Sequence, residues 1–163
     1  MASRMPLLPE SAHYPASNFA QLTTVNQRPV LAFDASTDET AYWTGIAPQG
    51  LTGTLTLVIT YMMASATSGT VGLQVQVEAI TDGDATDLDA GTSFDSVNNS
   101  SSTTVPGTAG YIDQISITLT NADSLAAADY FRISLNRDAD GSAITDSATG
   151  DLYFLGAELR DAA

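Results

Sequence analysis

TLTLVITYMM (Thr54–Met63) and TVGLQVQVEAI (Thr70–Ile80) are the two runs on which the fold turns. In the first, Leu55, Leu57, Ile59, Tyr61 and Met63 fall on every second position. In the second, Val71, Leu73, Val75, Val77 and Ala79 do the same, with Gln74, Gln76 and Glu78 between them. A period of two places each set on one face of a strand, so both runs read as half-buried β-strands. The polar connection Ala64–Gly69 ends in Ser68-Gly69 and suits a turn between antiparallel neighbours. The two runs are therefore expected to pair as a hairpin forming the spine of an antiparallel sheet.

Working outward, Pro29–Asp34 reads as a short strand closed by the turn-forming cluster Ala35–Asp38, and Glu39–Ile46 carries Tyr42 and the only tryptophan, Trp43. Downstream, Tyr111–Thr120, Asp129–Asn136 and Asp151–Arg160 alternate again. Between them lie an acidic loop from Asp82 to Gly91, a Ser/Thr/Asn-rich stretch from Asn98 to Thr104 expected as an exposed loop, and a second acidic loop from Arg137 to Gly150. Seven or eight strands without an amphipathic helix of useful length indicate an all-β fold, an antiparallel β-sandwich or jelly roll. Residues 1–29 contain Pro6, Pro9 and Pro15 and no sustained period, so they are expected to form an extended N-terminal arm lying against something. Residues 30–163 then make up a single sandwich domain.

The totals exclude several classes of function. No apolar run approaches the roughly 20 residues of a membrane-spanning helix, and the N-terminus lacks the apolar core of a secretory signal. There is no cysteine, hence no disulfide, thiolate metal site or cysteine nucleophile. Five basic residues, all arginine (Arg4, Arg28, Arg132, Arg137 and Arg160), face nineteen acidic ones, for a net charge of −14. Without a cluster of cations, binding to nucleic acid or to an anionic membrane surface is not expected.

The residues that carry chemistry are few. The single histidine, His13, has no implied rigid partner, and no nucleophile elbow, zinc-protease or phosphate-loop motif occurs, so no enzyme is expected. Calcium is the one cofactor with candidate ligands. Asp82, Asp84 and Asp87 (with Asp89) sit in one loop, and Asp138, Asp140 and Asp146 in another. Neither loop has the EF-hand spacing, and the alternative is turn-forming Asp bonded to its own backbone. Tyr42 and Trp43 form either an aromatic platform for a sugar or protein partner, or part of the core or of a subunit interface. With His13, Tyr14 and Phe19 of the arm they are the candidate partner-binding residues. Asn98-Asn99-Ser100-Ser101 holds two formal glycosylation sequons. Arg132 and Arg137, at opposite ends of one strand, are each expected to pair with a carboxylate.

Three segments carry a family likeness: Phe33-Asp34 with Thr37-Asp38-Glu39 and Tyr42-Trp43; Gly53–Leu57 running through Ala66–Val71; and Phe131-Arg132, Arg137–Asp140, Gly150-Asp151 and Leu155–Leu159. In this order, over Val30–Arg160, the chain resembles small β-sandwich virion surface proteins of tailed bacteriophages. It departs from them at Ala128, where a glycine is expected before Asp129. The resemblance implies a non-enzymatic capsid decoration (cement) protein that stabilises the phage head. It would lie on the outer surface of the virion capsid, with the major capsid protein as partner and a homotrimer as its assembly. The alternative is a tail-associated receptor- or glycan-binding β-sandwich module, with Tyr42, Trp43 and the acidic loops contacting sugar and calcium.

Overall fold

The computed structural model describes residues 3–161. Twelve strands run in the order β1 (Arg4–Leu7), β2 (Gln21–Val25), β3 (Arg28–Phe33), β4 (Glu39–Ile46), β5 (Leu55–Met63), β6 (Thr70–Val71), β7 (Leu73–Ile80), β8 (Asn98–Asn99), β9 (Thr103–Thr104), β10 (Asp113–Leu119), β11 (Tyr130–Arg137) and β12 (Leu152–Asp161). The only helical element among the described residues is a 3-10 turn at Pro9–Ser11. A large sheet has the order β10-β5-β12-β3-β2, with β1 also on β12, and a small sheet has the order β4-β11-β7-β8. All strand pairs are antiparallel. The fold is an antiparallel β-sandwich.

The apolar halves of the alternating strands meet between the layers. Leu57, Ile59 and Tyr61 of β5, Phe154 of β12 and Phe33 of β3 face Trp43 of β4, Val75 and Val77 of β7, and Phe131 and Ile133 of β11, all buried in one cluster. Each large aliphatic or aromatic side chain so placed contributes about 1.5–3 kcal/mol by leaving water.

The expected hairpin does not form. Residues 54–63 and 70–80 become strands, with a break at Gly72 between β6 and β7, but β5 lies in the large sheet between β10 and β12 while β7 lies in the small sheet beside β11. Alternation fixes which face is buried and is silent on which strand lies alongside. Residues 64–69 are long enough to cross layers about 10 Å apart. The crossing ends at Gly69, whose φ is +93° and where a Cβ would lie 2.9 Å from the Ser147–Ala148 backbone, so there is no room for a side chain.

Residues 4–29 do not form an extended arm either. Strand β1 pairs with β12, His13 exchanges two backbone hydrogen bonds with Tyr42 of β4 (2.7 and 2.9 Å), and β2 forms a hairpin with β3. The segment thus passes from the large sheet to the edge of the small one and back, and the boundary expected at residue 29/30 falls inside β3. Its strands are too short and too exposed to show a period, and their backbone bonds hold them. The Ser/Thr/Asn stretch is likewise not a plain loop. It contributes β8 and β9, and buried Asn98 donates to Val75 O and Asn121 O while accepting from Asn121 N. So employed, its amide is not a glycosylation acceptor.

Candidate functional site

The site lies on the outer face of the small sheet. With a period of two, the even-numbered residues of β4, β11 and β7 point away from the core and line up in rows across the three strands. Thr44, Arg132 and Glu78 form one row, Tyr42, Ser134 and Gln76 the next, and Thr40, Asn136 and Gln74 the third. From Tyr130 to Asn136 this polar floor runs about 20 Å along β11.

Two walls rise from it. Residues His13, Tyr14 and Pro15, held to β4 by the His13–Tyr42 bridge, stand on one side. The loop from residue 82 to 97 stands on the other, fastened to β7 by Asp95 N to Val77 O (2.8 Å) and Gln76 Nε2 to Asp95 O (3.0 Å). From this loop Phe94 reaches across and stacks on Tyr42, with ring centroids 5.9 Å apart and planes 17° from parallel. The Arg132 guanidinium lies 4.5 Å from the Phe94 ring centre and 5.8 Å from that of Tyr42.

Tyr42 lines two adjoining clefts. The first, of about 410 Å³, is bounded by His13, Tyr14, Thr44, Glu78, Leu88, Tyr130 and Arg132. The second, of about 220 Å³, is bounded by Asp38, Thr40, Gln74, Gln76, Ser134 and Asn136. Burial raises the Tyr14 phenol above its ordinary value, so it stays a neutral hydrogen-bonding group.

Glu78 holds the floor of the first cleft. It is only 2% exposed, accepts from Ser93 N (2.6 Å) and Ser93 Oγ (3.0 Å) through Oε1, and pairs with Arg132 Nε and Nη2 (both 2.9 Å) through Oε2. Burial alone would raise its carboxyl, but the hydrogen bonds from Ser93 and Arg132 outweigh it and hold the group below 4.5. A carboxyl lowered on folding contributes stability that is complete above its unfolded value and is lost as pH falls through the folded one. The unfolding midpoint is therefore expected to drop on acidification below pH 4.5, and more shallowly in Glu78→Gln. Equal slopes for the two proteins in an acid titration of the melting temperature would show that the brace is not ionic.

The expected partner-binding residues divide. His13, Tyr14 and Tyr42 converge on the first cleft, and Phe19 packs against Tyr14 at 5.6 Å between ring centres. Trp43 does not join them and is corrected to a core residue. Alternation turns it inward, its ring meets Phe154 at 5.1 Å, and its indole N–H donates to Leu8 O at 2.9 Å.

Of the calcium candidates, the structure brings together only Asp138 and Asp140, and adds Asp38. Each of the three offers an oxygen within 4.8 Å of the others. Asp138 already accepts from Ser142 Oγ through one oxygen and from Ala143 N and Ile144 N through the other, and Asp140 N–H donates to Asp38. Asp146 is elsewhere, in a buried ion pair with Arg137. Asp84 and Asp87 cap turns by accepting from Thr81 N and Asp89 N, and Asp82 is exposed. The candidates in the 82–91 loop are thus separate from those in 138–146, because local backbone bonds organise each loop independently.

Sequence reasoning passed over Glu78, Phe94, Tyr130, Arg132 and Asn136 as members of this face. The signal was present in the polar members of the alternating runs, Gln74-x-Gln76-x-Glu78 and Tyr130-x-Arg132-x-Ser134-x-Asn136, which mark two outward faces.

No protein-family model matches the sequence, and no curated protein does. Among solved structures, the CBM35 from Cellvibrio japonicus Abf62 is similar, with a TM-score of 0.52 and 12% identity over 96% of this chain and 92% of that one. A family 35 carbohydrate binding module from Clostridium thermocellum gives a TM-score of 0.48 at 15% identity, covering 98% and 99% of the two chains. The C-terminal CBM6 of LamC from Zobellia galactanivorans gives 0.46 at 15%, covering 96% and 98%. At 12% identity, what the chain shares with the Cellvibrio module is a β-sandwich fold.

Proposed function

We propose that the chain is a glycan-binding β-sandwich module that takes a neutral glycan along the outer face of the small sheet. The observation that carries this reading is the paired clefts around Tyr42. Rings of His13, Tyr14, Tyr42 and Tyr130 border a floor of amides, hydroxyls and a neutralised Arg132–Glu78 pair. A pyranose has an apolar C–H face and a rim of hydroxyls, and this combination suits both. The Glu78 carboxylate is fully occupied, while Arg132 Nη1 donates to no described residue and is left for a ligand hydroxyl. A net charge of −14 disfavours an acidic polysaccharide and leaves a neutral one. The fold shared with the Cellvibrio CBM35 supports the same reading. The capsid decoration role has no comparable feature behind it: residues 4–25, expected as an arm lying against something, pair within the sandwich, and the cleft and the shared fold support the glycan reading better.

The test is affinity electrophoresis and calorimetry against neutral polysaccharides (glucan, mannan, galactan, xylan) with pectate as the acidic control. Retention by at least one neutral polymer is expected, with Tyr42→Ala weakening it about tenfold, the equivalent of about 1.4 kcal/mol for loss of one ring. Absence of binding to all neutral polymers, or a Tyr42→Ala variant that binds unchanged, would overturn the proposal.

A further inference from the structure

The large sheet ends in an edge that lacks the usual protection. All of β2 lies at the surface, and four of its five residues are exposed. Its hairpin with β3 closes through the two-residue turn Asn26-Gln27, with φ of 46° and 64°, so Val25 and Arg28 form a hydrogen-bonded pair. Pairs then alternate in type, which makes Thr24 opposite Pro29 and Leu22 opposite Leu31 the non-bonded pairs. The presence of Pro29, which has no N–H, at such a position agrees with this phase. Consequently the N–H and C=O groups of Leu22 and Thr24 point away from β3, and none of them bonds to any described residue.

Edge strands are normally blunted by charge, proline or a bulge. Residues 11–27 contain no Asp, Glu, Lys or Arg in a chain that has 24 of them. Leu22 shares the core-facing side with fully buried Leu31 and is itself 50% exposed. Another edge of the large sheet, β10, opens instead on Asp113.

We propose that β2 is a self-association edge whose occupant is the β2 strand of a second copy, paired antiparallel about a two-fold axis through Thr23. In this register Leu22 faces Thr24 of the second copy and Thr24 faces its Leu22, and four backbone hydrogen bonds use every outward group of the two residues in both copies. The contact is isologous, so it closes at two copies and leaves no β2 edge to propagate. It falls on the stretch where two chains of charge −14 present no like charges to each other. Strand β2 belongs to the other sheet from the glycan cleft, so the two proposals stand apart.

The experiment is sedimentation of the full chain over a concentration series. The expected result is a rise from 16.9 kDa to twice that mass, with growing hydrogen-exchange protection of the Leu22 and Thr24 amides. Thr24→Pro removes an outward donor while sparing the β2–β3 bonds and is expected to stay monomeric with an unchanged circular dichroism spectrum. Leu22→Glu, which leaves the backbone intact and adds like charges across the axis, is expected to do the same. A wild type that remains monomeric at hundreds of micromolar, a trimer, or a dimer that persists in both variants would overturn the proposal.

Discussion

Replacing Arg137 by alanine is expected to lower the unfolding free energy by about 3–5 kcal/mol, the cost of leaving a buried charge without its partner. Arg137 is completely buried, and its fork grips Asp146 through Nε and Nη2 at 2.9 Å each. The remaining donors reach Ala148 O and Gly150 O at 2.9 Å and Phe33 O at 3.4 Å. One side chain therefore satisfies the backbone of the 138–150 loop and ties it to the end of β3. Alanine would strand the Asp146 carboxylate and orphan these carbonyls together. Lysine restores the charge without the planar fork, so Arg137→Lys should recover only part of the loss. Urea melts of Arg137→Ala, Asp146→Ala and the double variant provide the check. A single-variant loss below about 1 kcal/mol would mean the pair behaves like a surface salt bridge.

Trp43→Ala is the second large effect, about 3–5 kcal/mol by removing the biggest side chain of the core. The ring fills the interior against Phe154 and also pins the chain after β1 through its hydrogen bond to Leu8 O. Trp43→Phe keeps much of the volume but removes the indole donor to Leu8 O, which still accepts from Ser11 N (3.1 Å) and Ser11 Oγ (3.0 Å), and should cost about 1 kcal/mol or less plus the volume lost. The contrast with its neighbour is the useful part. Tyr42→Ala should impair glycan binding with little change in denaturation midpoint, whereas Trp43→Ala should shift the midpoint and affect binding only through unfolding. The reverse pattern in parallel melts and binding assays would exchange their roles.

That contrast also marks what was legible in the sequence. Tyr42 and Trp43 are adjacent, and composition cannot say which ring faces out. The phase of alternation in β4 does, once Ala41 and Trp43 are counted with the core. Alternation likewise located β5, β7, β10, β11 and β12 closely, because each buries one face against the opposite layer. Neighbours were not legible, because β5 and β7 have the same pattern whether they pair or cross between sheets. The β2–β3 hairpin was hidden because its turn uses Asn26-Gln27 in place of a glycine pair, and β2 buries too little to show a period. The site was half visible. His13, Tyr14 and Tyr42 stood out as aromatic, but Glu78, Phe94 and Arg132 meet only after a strand and a distant loop are brought together.

Strand β12 has β5 along one side and, on the other, β3 against Leu152–Phe154 and β1 against Ala157–Arg160, with a register shift between Phe154 and Gly156. The middle strand of the large sheet is thus the last of that sheet's strands in sequence. While residues 152–161 are still inside the ribosome, the β5–β10 and β2–β3 ribbons have nothing to join them, and β1 has no partner at all. The strands of the small sheet are complete by residue 137 but are opposed only by these unjoined ribbons, without Phe154 of β12. Nascent chains are therefore expected to keep open edges and exposed side chains until β12 emerges, a long-range dependence of the kind that slows folding.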